Sequence, residues 1–376
     1  MKKSRSKIPR SPRGRQCDFT ILFTVILLVS FGIVMIFSSS YHFSMNRYGD
    51  HFFFLKKQIM WSIVGFGAMM FFMNFDYRYL RKWSVLLYLF SIVTLILVIF
   101  IGKEVNGSKR WLGVGSMGFQ PSEVAKLGVT LFLGNLVSLN REKLNKFSGF
   151  IFYMIIIMIP VIFIALQNLS TAIVVIIVGV CILFIASSKI WHFVVMAVPV
   201  LGIGVMAVTL EQFRYRLVRI QAWQDPWSDP LVSGYQTIQS LYAVGSGGIF
   251  GLGLGESRQK LGYIPEAHND IIFSIVCEEL GLVGATILLL LFLILIWRGI
   301  KVAIHAPDLF GSLIVAGIIC QVAVQVLINV SVITNTIPVT GMPLPFISYG
   351  GSSLLFLMIS MGIVLNVSRY ANIPRT

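Results

Sequence analysis

Charged side chains are scarce in this chain. Only 12% of its 376 residues are Asp, Glu, Lys or Arg, and 56% are hydrophobic. Soluble domains carry roughly 25% charged residues, so this composition excludes an ordinary soluble protein and implies a polytopic membrane protein. No hidden soluble catalytic domain fits either, because only residues 211–267 form a long stretch without an apolar run of membrane length. Acids are scarcer still, 15 against 30 Lys and Arg, which leaves a formal charge of +15. Basic loops on the cytoplasmic side of a membrane account for that surplus without invoking nucleic acid. The four cysteines (Cys17, Cys181, Cys277 and Cys320) are scattered, three of them in apolar runs. They form neither a disulfide framework nor a metal-ligand spacing, and are expected to pack as small hydrophobes. Matched broken helices in two halves, the mark of many secondary transporters, are also missing.

What is present is a series of membrane-length apolar runs. The basic N-terminus MKKSRSKIPRSPRGRQ leads into FTILFTVILLVSFGIVMIF, which is too long for a signal-peptide core and lacks a small-residue cleavage site. It is expected to be a retained first span. Ten spans are predicted, near 19–40, 57–74, 82–101, 121–139, 148–166, 168–186, 190–210, 269–297, 309–332 and 347–368. With both ends inside, the cytoplasmic segments carry eighteen of the thirty Lys and Arg residues, as the positive-inside bias requires. The expected architecture is therefore all-α and N-in/C-in. A basic tail (1–18) precedes spans one to seven (19–210), a large extracellular loop (211–268) follows, and spans eight to ten with a short tail (269–376) complete the chain.

This parity brings three polar clusters to the outer face: residues 106–126, the long loop with the start of span eight, and residues 338–353. Pro121-Ser122-Glu123 opens a helix, where capping alone would explain the acid. Lys126, one turn deeper, implies an in-membrane pair with Glu123, either structural or facing a polar substrate. Asp270 lies beside His268 and Asn269, with Glu266 just before. An acid partly desolvated at a water–lipid boundary suits general-base work, although a helix-start acid can simply cap. Glu278 and Glu279 lie deeper; Glu278 is eight residues from Asp270 and on its helical face, and both acids are expected to bond other helices. His268 has no partner at metal spacing, so a structural hydrogen bond is expected. The loop cations Arg214, Arg216, Arg219, Arg258 and Lys260 run against the inside-positive bias and can recognise phosphate. Phe213, Tyr215, Trp223 and Trp227 among them can anchor a segment at headgroup level. The glycine string GSGGIFGLGLG (245–255) lacks the βαβ setting of a dinucleotide site and implies close packing or a hinge. Asn-x-Ser triplets at Asn106, Asn168, Asn329 and Asn366 carry no weight at their chance frequency.

KRWLGVGSMGFQPSEVAK, SLYAVGSGGIFGLGLGESRQKLGYIPEAHNDIIFSIVCEELG and PLPFISYGGSS closely resemble the signatures of the SEDS family, which comprises FtsW, RodA and SpoVE. QDPWSDPLVSGYQTIQSLYAVGSGG and LNVSRY resemble the FtsW/SpoVE branch. The resemblance implies a peptidoglycan glycosyltransferase that polymerises lipid II at the outer face of the cytoplasmic membrane, working with a class B penicillin-binding protein among other division or elongation proteins. It assigns the essential acid to Asp270, further site residues to Glu123 and Lys126, and the preceding Arg-Trp to Arg110 and Trp111. Ser348 and Tyr349, in the last motif, join His268 and the loop cations as candidate substrate contacts. In LQNLST (166–171), Gln167 stands where the family tends to have Pro and Asn168 where Asp is common; Asn269 replaces a usual Thr. The implied chemistry has Asp270 deprotonate a sugar hydroxyl that displaces lipid pyrophosphate with inversion. Loop arginines or Lys126 would meet the leaving group, with a divalent cation (Mg²⁺ or Mn²⁺) as an option that no motif specifies. A lipid II flippase and a non-catalytic scaffold for the penicillin-binding protein are the rival classes.

Overall fold

The computed structural model describes residues 16–105, 108–114, 117–196, 202 and 214–372; the side chains of residues 103–105, 108–109, 114, 117 and 214–216 lie outside that description. In hydrocarbon a backbone must satisfy its own hydrogen bonds, so apolar runs of this length close as helices. The described helices are α1 (Phe19–Tyr48), α2 (Phe53–Asn74), α3 (Leu80–Ile101), α4 (Pro121–Leu139), α5 (Phe147–Ala165), α6 (Leu169–Ala186), α7 (Arg214–Gln224), α8 (Tyr235–Ser246), α9 (Ile272–Ile304), α10 (Leu309–Ile333) and α11 (Gly351–Ser368). Eight of them, α1, α3 to α6 and α9 to α11, are long and apolar enough to cross a membrane. The second expected span forms α2, whose start carries Lys56, Lys57 and Gln58 and is correspondingly less apolar. Most of the seventh, beyond residue 196, falls outside the described residues. The long loop is partly helical, through α7 and α8.

Two local features differ from the expected all-α chain. Three short strands, β1 (Lys103–Val105), β2 (Ser108–Val114) and β3 (Met117–Phe119), form a small antiparallel sheet in the order β1-β2-β3. This segment is too glycine-rich for a helix, and it carries Arg110 and Trp111 on β2. The eighth span also starts later than expected, at Ile272, so Asp270 lies in the turn before the helix.

The two ends of the bundle are chemically distinct. At one, Asp18 caps α1 by accepting from the amides of Thr20 and Ile21, and its other oxygen receives the Arg298 guanidinium at 2.7 Å. Its own amide donates to the Ser368 hydroxyl at the end of α11. The start of α1 and the ends of α9 and α11 therefore share a face. The last turn of α1, about 45 Å away at 1.5 Å per residue, contributes Arg47 and Tyr48 to a cavity at the other end.

Helix α9 is broken at Gly281 (φ 64°, ψ −165°), a backbone that an L side chain rarely adopts. The glycine string covers the break. The amides of Leu252 and Gly253 donate to the carbonyls of Glu278 and Glu279 at 2.9 and 3.0 Å. In return, the amides of Leu282 and Val283 donate to the carbonyls of Gly248 and Ile249 at 3.0 and 3.1 Å. A Cβ on Gly251 would sit 2.2 Å from the Glu279 carbonyl oxygen, so only glycine permits this approach. The close packing expected of the string thus has a definite partner.

The same break resolves the acids inside the span. Glu278 accepts from the Ser257 hydroxyl and from the amides of Arg258 and Gln259. Glu279 pairs with Lys260 at 2.7 Å and accepts from Ser38 of α1, whose hydroxyl in turn receives a hydrogen bond from the Lys260 ammonium at 2.9 Å. Removing one member of a buried pair typically costs about 3–5 kcal/mol, because the other charge stays buried. Lys260→Met is therefore expected to lower thermal stability in detergent by that order. The double substitution Lys260→Met with Glu279→Leu should recover most of the loss, and equal loss in both variants would contradict the pairing.

Candidate active site

The cavity has a volume of about 540 Å³ and lies on the seam between two packed groups. One group is built largely on α1, α9, α10 and α11, the other on α3 to α6. Arg110 and Trp111 of β2, Glu123 and Lys126 of α4, His268, Asp270 and Tyr349 all line it. Three sequence-distant clusters thus converge on one polar chamber, which is what a binding site requires.

Asp270 is set by its turn rather than by a helix. Glu266 takes a left-handed backbone (φ 48°), a strained conformation for a residue with a Cβ. Its carboxylate accepts from the Asn269 side chain at 2.8 Å. The Asn329 side chain of α10 donates to the carbonyls of Asp270 and Met342, at 2.7 and 2.8 Å, fastening the turn to the segment before α11. Gly341 (φ 65°) lies against the carboxylate, where an added Cβ would be 3.5 Å from Oδ2. Helix α9 has no side-chain cap, so capping does not explain the acid. Nor does the eight-residue spacing to Glu278 apply, because Asp270 is outside the helix. Protein surrounds the Asp270 side chain on most sides while leaving it half-buried at the cavity wall. That loss of water pushes its carboxyl above the usual carboxylate range; Glu266 adds to the rise, and Arg219 and Arg110 oppose it.

On α4, the side chain of Glu123 bonds not the helix start but Lys126, at 2.8 Å. Both are almost fully buried, so the pair fixes an ammonium and a carboxylate together in the cavity wall. Nε of Arg110 donates to the Gln167 carbonyl at 3.1 Å, linking β2 to the α5–α6 hairpin. In that hairpin Asn168 caps α6 and lines the cavity. His268 does not make the expected structural hydrogen bond through Nδ1, which has no partner. Its ring packs on Phe54 at 4.2 Å, and burial pushes its pKa down to about 4. Its carbonyl accepts from the Tyr349 amide. Ser348 closes a turn by accepting from the Leu344 amide, and lines a smaller recess next to Glu123 and Gln325.

Two expected contacts are placed elsewhere. Lys260 is committed to Glu279, and Arg258 is exposed; neither lines the cavity. Proximity in sequence to Asp270 misled here, because the intervening turn directs Lys260 back into the bundle. The side chains of Arg214 and Arg216 lie outside the described residues. Conversely, Arg47, Trp61, Gln325 and the supporting Asn329 were not anticipated. A signal existed for two of them: Gln321, Gln325 and Asn329 recur every fourth residue along an otherwise apolar span, a buried polar stripe that needs an explanation. Among the described residues, no three His, Cys, Asp or Glu side chains converge as metal ligands. The described acids do not form a three-ligand cage for a divalent cation.

Residues 18–373 match the family model for FtsW, RodA and SpoVE, described as cell cycle protein. The chain belongs to the FtsW/RodA/SpoVE family. It is 44% identical over 360 residues to stage V sporulation protein E of Bacillus subtilis, covering 94% of this chain and 97% of that protein. A probable peptidoglycan glycosyltransferase FtsW from Geobacter sp. (strain M18) is 39% identical over 356 residues, covering 93% and 96%. Among solved structures, a chain from a peptidoglycan synthase complex that coordinates polymerization and crosslinking superposes with a TM-score of 0.78 at 27% identity, over 94% of this chain and 98% of that one. The rod shape determining protein RodA of Thermus thermophilus gives 0.70 at 26% identity, over 96% and 99%. The cavity therefore belongs to a multi-pass cytoplasmic-membrane protein of this family.

Asn329 provides a test of how the site is held. Asn329→Leu would leave the Asp270 and Met342 carbonyls without their side-chain donor, at about 1–3 kcal/mol per unsatisfied group. Turnover should fall at least tenfold while the protein still extracts as a monodisperse species. Unchanged turnover would show that the turn holds its shape without this bridge.

Proposed function

We propose that this chain is a peptidoglycan glycosyltransferase that polymerises lipid II on the outer side of the membrane, with Asp270 as general base. The observation that carries the reading is one carboxylate with a raised pKa in the wall of a chamber that also holds Arg110 and Lys126. The name of a relative, probable peptidoglycan glycosyltransferase, supports the reaction class, and the cavity volume accommodates sugar units while the lipid chains remain in the bilayer. Asp270 takes the proton from the acceptor hydroxyl, whose oxygen bonds to the donor's anomeric carbon. The bond from that carbon to the pyrophosphate oxygen breaks, and lipid pyrophosphate leaves with its negative charge facing the cations. A single carboxylate suffices because this leaving group needs no protonation, unlike the alcohol released in glycoside hydrolysis. Trp111 and Tyr349 offer aromatic faces to sugar rings. Crosslinking belongs to a partner, a class B penicillin-binding protein, in keeping with the synthase complex that the fold resembles.

Asp270→Asn keeps the shape and removes the base. In purified protein with its partner and lipid II, chain formation should drop by at least about a hundredfold, the lower end of what a positioned base contributes, while association with the partner persists. Retained polymerisation would remove Asp270 from this role. The pH profile tests the electrostatics independently. A base must be ionised to act, so the rate should climb with pH along a limb above the ordinary Asp range. Glu266→Gln removes a charge that raises the pKa and should move the limb to lower pH, whereas Arg219→Gln should move it higher. Superimposable limbs would dissociate the profile from Asp270.

A further inference from the structure

The geometry points to the glycine string as a membrane-inserted element: Gly247–Gly255 lies in the leaflet on the cavity's side, with the side chains of Ile249 and Phe250 against lipid acyl chains. The expected bounds put this stretch within the extracellular loop 211–268, with no depth assigned to it. Depth along α9 argues otherwise. This helix has 33 residues, about 50 Å at 1.5 Å per residue, against a hydrocarbon core of about 30 Å. Its far end is marked by Trp297, with the Lys301 ammonium over its ring at 5.2 Å, and by Arg298 paired with Asp18. An aromatic ring beside cations is the signature of a membrane–water boundary. Counting back the roughly twenty residues that cross the core reaches Glu278, and Leu282 and Val283 then lie about 6 Å inside the hydrocarbon. A tilted helix would place them deeper. The amides of those two residues are bonded to the carbonyls of Gly248 and Ile249, so the string is held at the same level.

Its surface agrees with that depth. Phe250 is 82% exposed and Ile249 61%, beside Leu282 at 64% and Val283 at 42% on α9. The apolar strip of the helix thus continues onto the loop without interruption. No charged residue occurs from Tyr242 to Gly255. Non-helical backbone at membrane depth survives only if its polar groups are paired. Here the four hydrogen bonds across the Gly281 break and the bond from the Gly251 amide to the Gly247 carbonyl provide much of that pairing. Glu278, at the calculated boundary, is met by hydroxyl and amide donors from residues 257–259, where the chain returns to the polar region.

The full-length protein in liposomes, with its four native cysteines replaced, tests this. Spin labels are attached at Phe250→Cys, at Ile287→Cys on the lipid-facing side of α9, and at Glu256→Cys just past the string. At 250, as at 287, collisions with oxygen should exceed those with a water-soluble nickel chelate, and at 256 the order should reverse. A membrane-impermeant maleimide should label position 250 at least tenfold more slowly than 256. Nickel-dominated collisions at 250, or maleimide rates equal at 250 and 256, would return the string to water and overturn the inference.

Discussion

The whole arrangement depends on satisfying backbone hydrogen bonds where no water is available to do it. Gly281 interrupts α9, leaving the Glu278 and Glu279 carbonyls on one side and the Leu282 and Val283 amides on the other without helical partners. The glycine string supplies matching groups, and it can come close enough because Gly247 and Gly251 have no Cβ to meet the Cys277 and Glu279 carbonyls. From that junction the chain runs through Ser257–Lys260, whose donors hydrogen-bond the two glutamates, and on to the turn that carries Asp270. The break therefore helps bind the long loop to the bundle, and through that loop it helps position the turn of the candidate base.

The acids in the cavity wall and in the neighbouring helix break divide by what they touch. Glu123 is held by Lys126, Glu279 by Lys260, and Glu278 by backbone amides. Each is engaged by protein donors: Lys126 at Glu123, Lys260 and Ser38 at Glu279, and Ser257 with two amides at Glu278. Asp270 differs: its backbone is fastened by Asn329, while its carboxylate faces the chamber under the weaker, opposed influences of Glu266, Arg219 and Arg110. Rigid backbone with an available side chain is the combination a general base needs. The buried Glu123–Lys126 pair lends rigidity to the same wall, since a displaced partner would strand a charge.

Much of the site was legible in the linear chain. Pro121–Lys126, His268–Asp270 and the segment 338–353 stand out because polar residues in or beside membrane-length apolar runs demand a reason, and crossing parity places all three at one end; the resemblance adds Ser348 and Tyr349 within the last. The Glu123–Lys126 pair followed from helical spacing alone. Lys260 did not follow, because its partners, Glu279 and Ser38, lie across a helix break and on another helix. Arg47 and Trp61 were missed for a similar reason: an arginine at the end of a helix and a tryptophan near a membrane boundary are ordinary features, and only their convergence distinguishes them.

The sequence by itself determined the class of molecule, the positions of most spans and the set of polar residues from which a site could be built. Those properties follow from composition and from periodicity along one helix, which are local. Tertiary structure alone decided which acid is neutralised and which is available, that the eighth helix breaks, and that a glycine string fills the gap. These outcomes depend on distances between segments far apart in the chain, and a buried charge takes its character from whatever stands next to it in space.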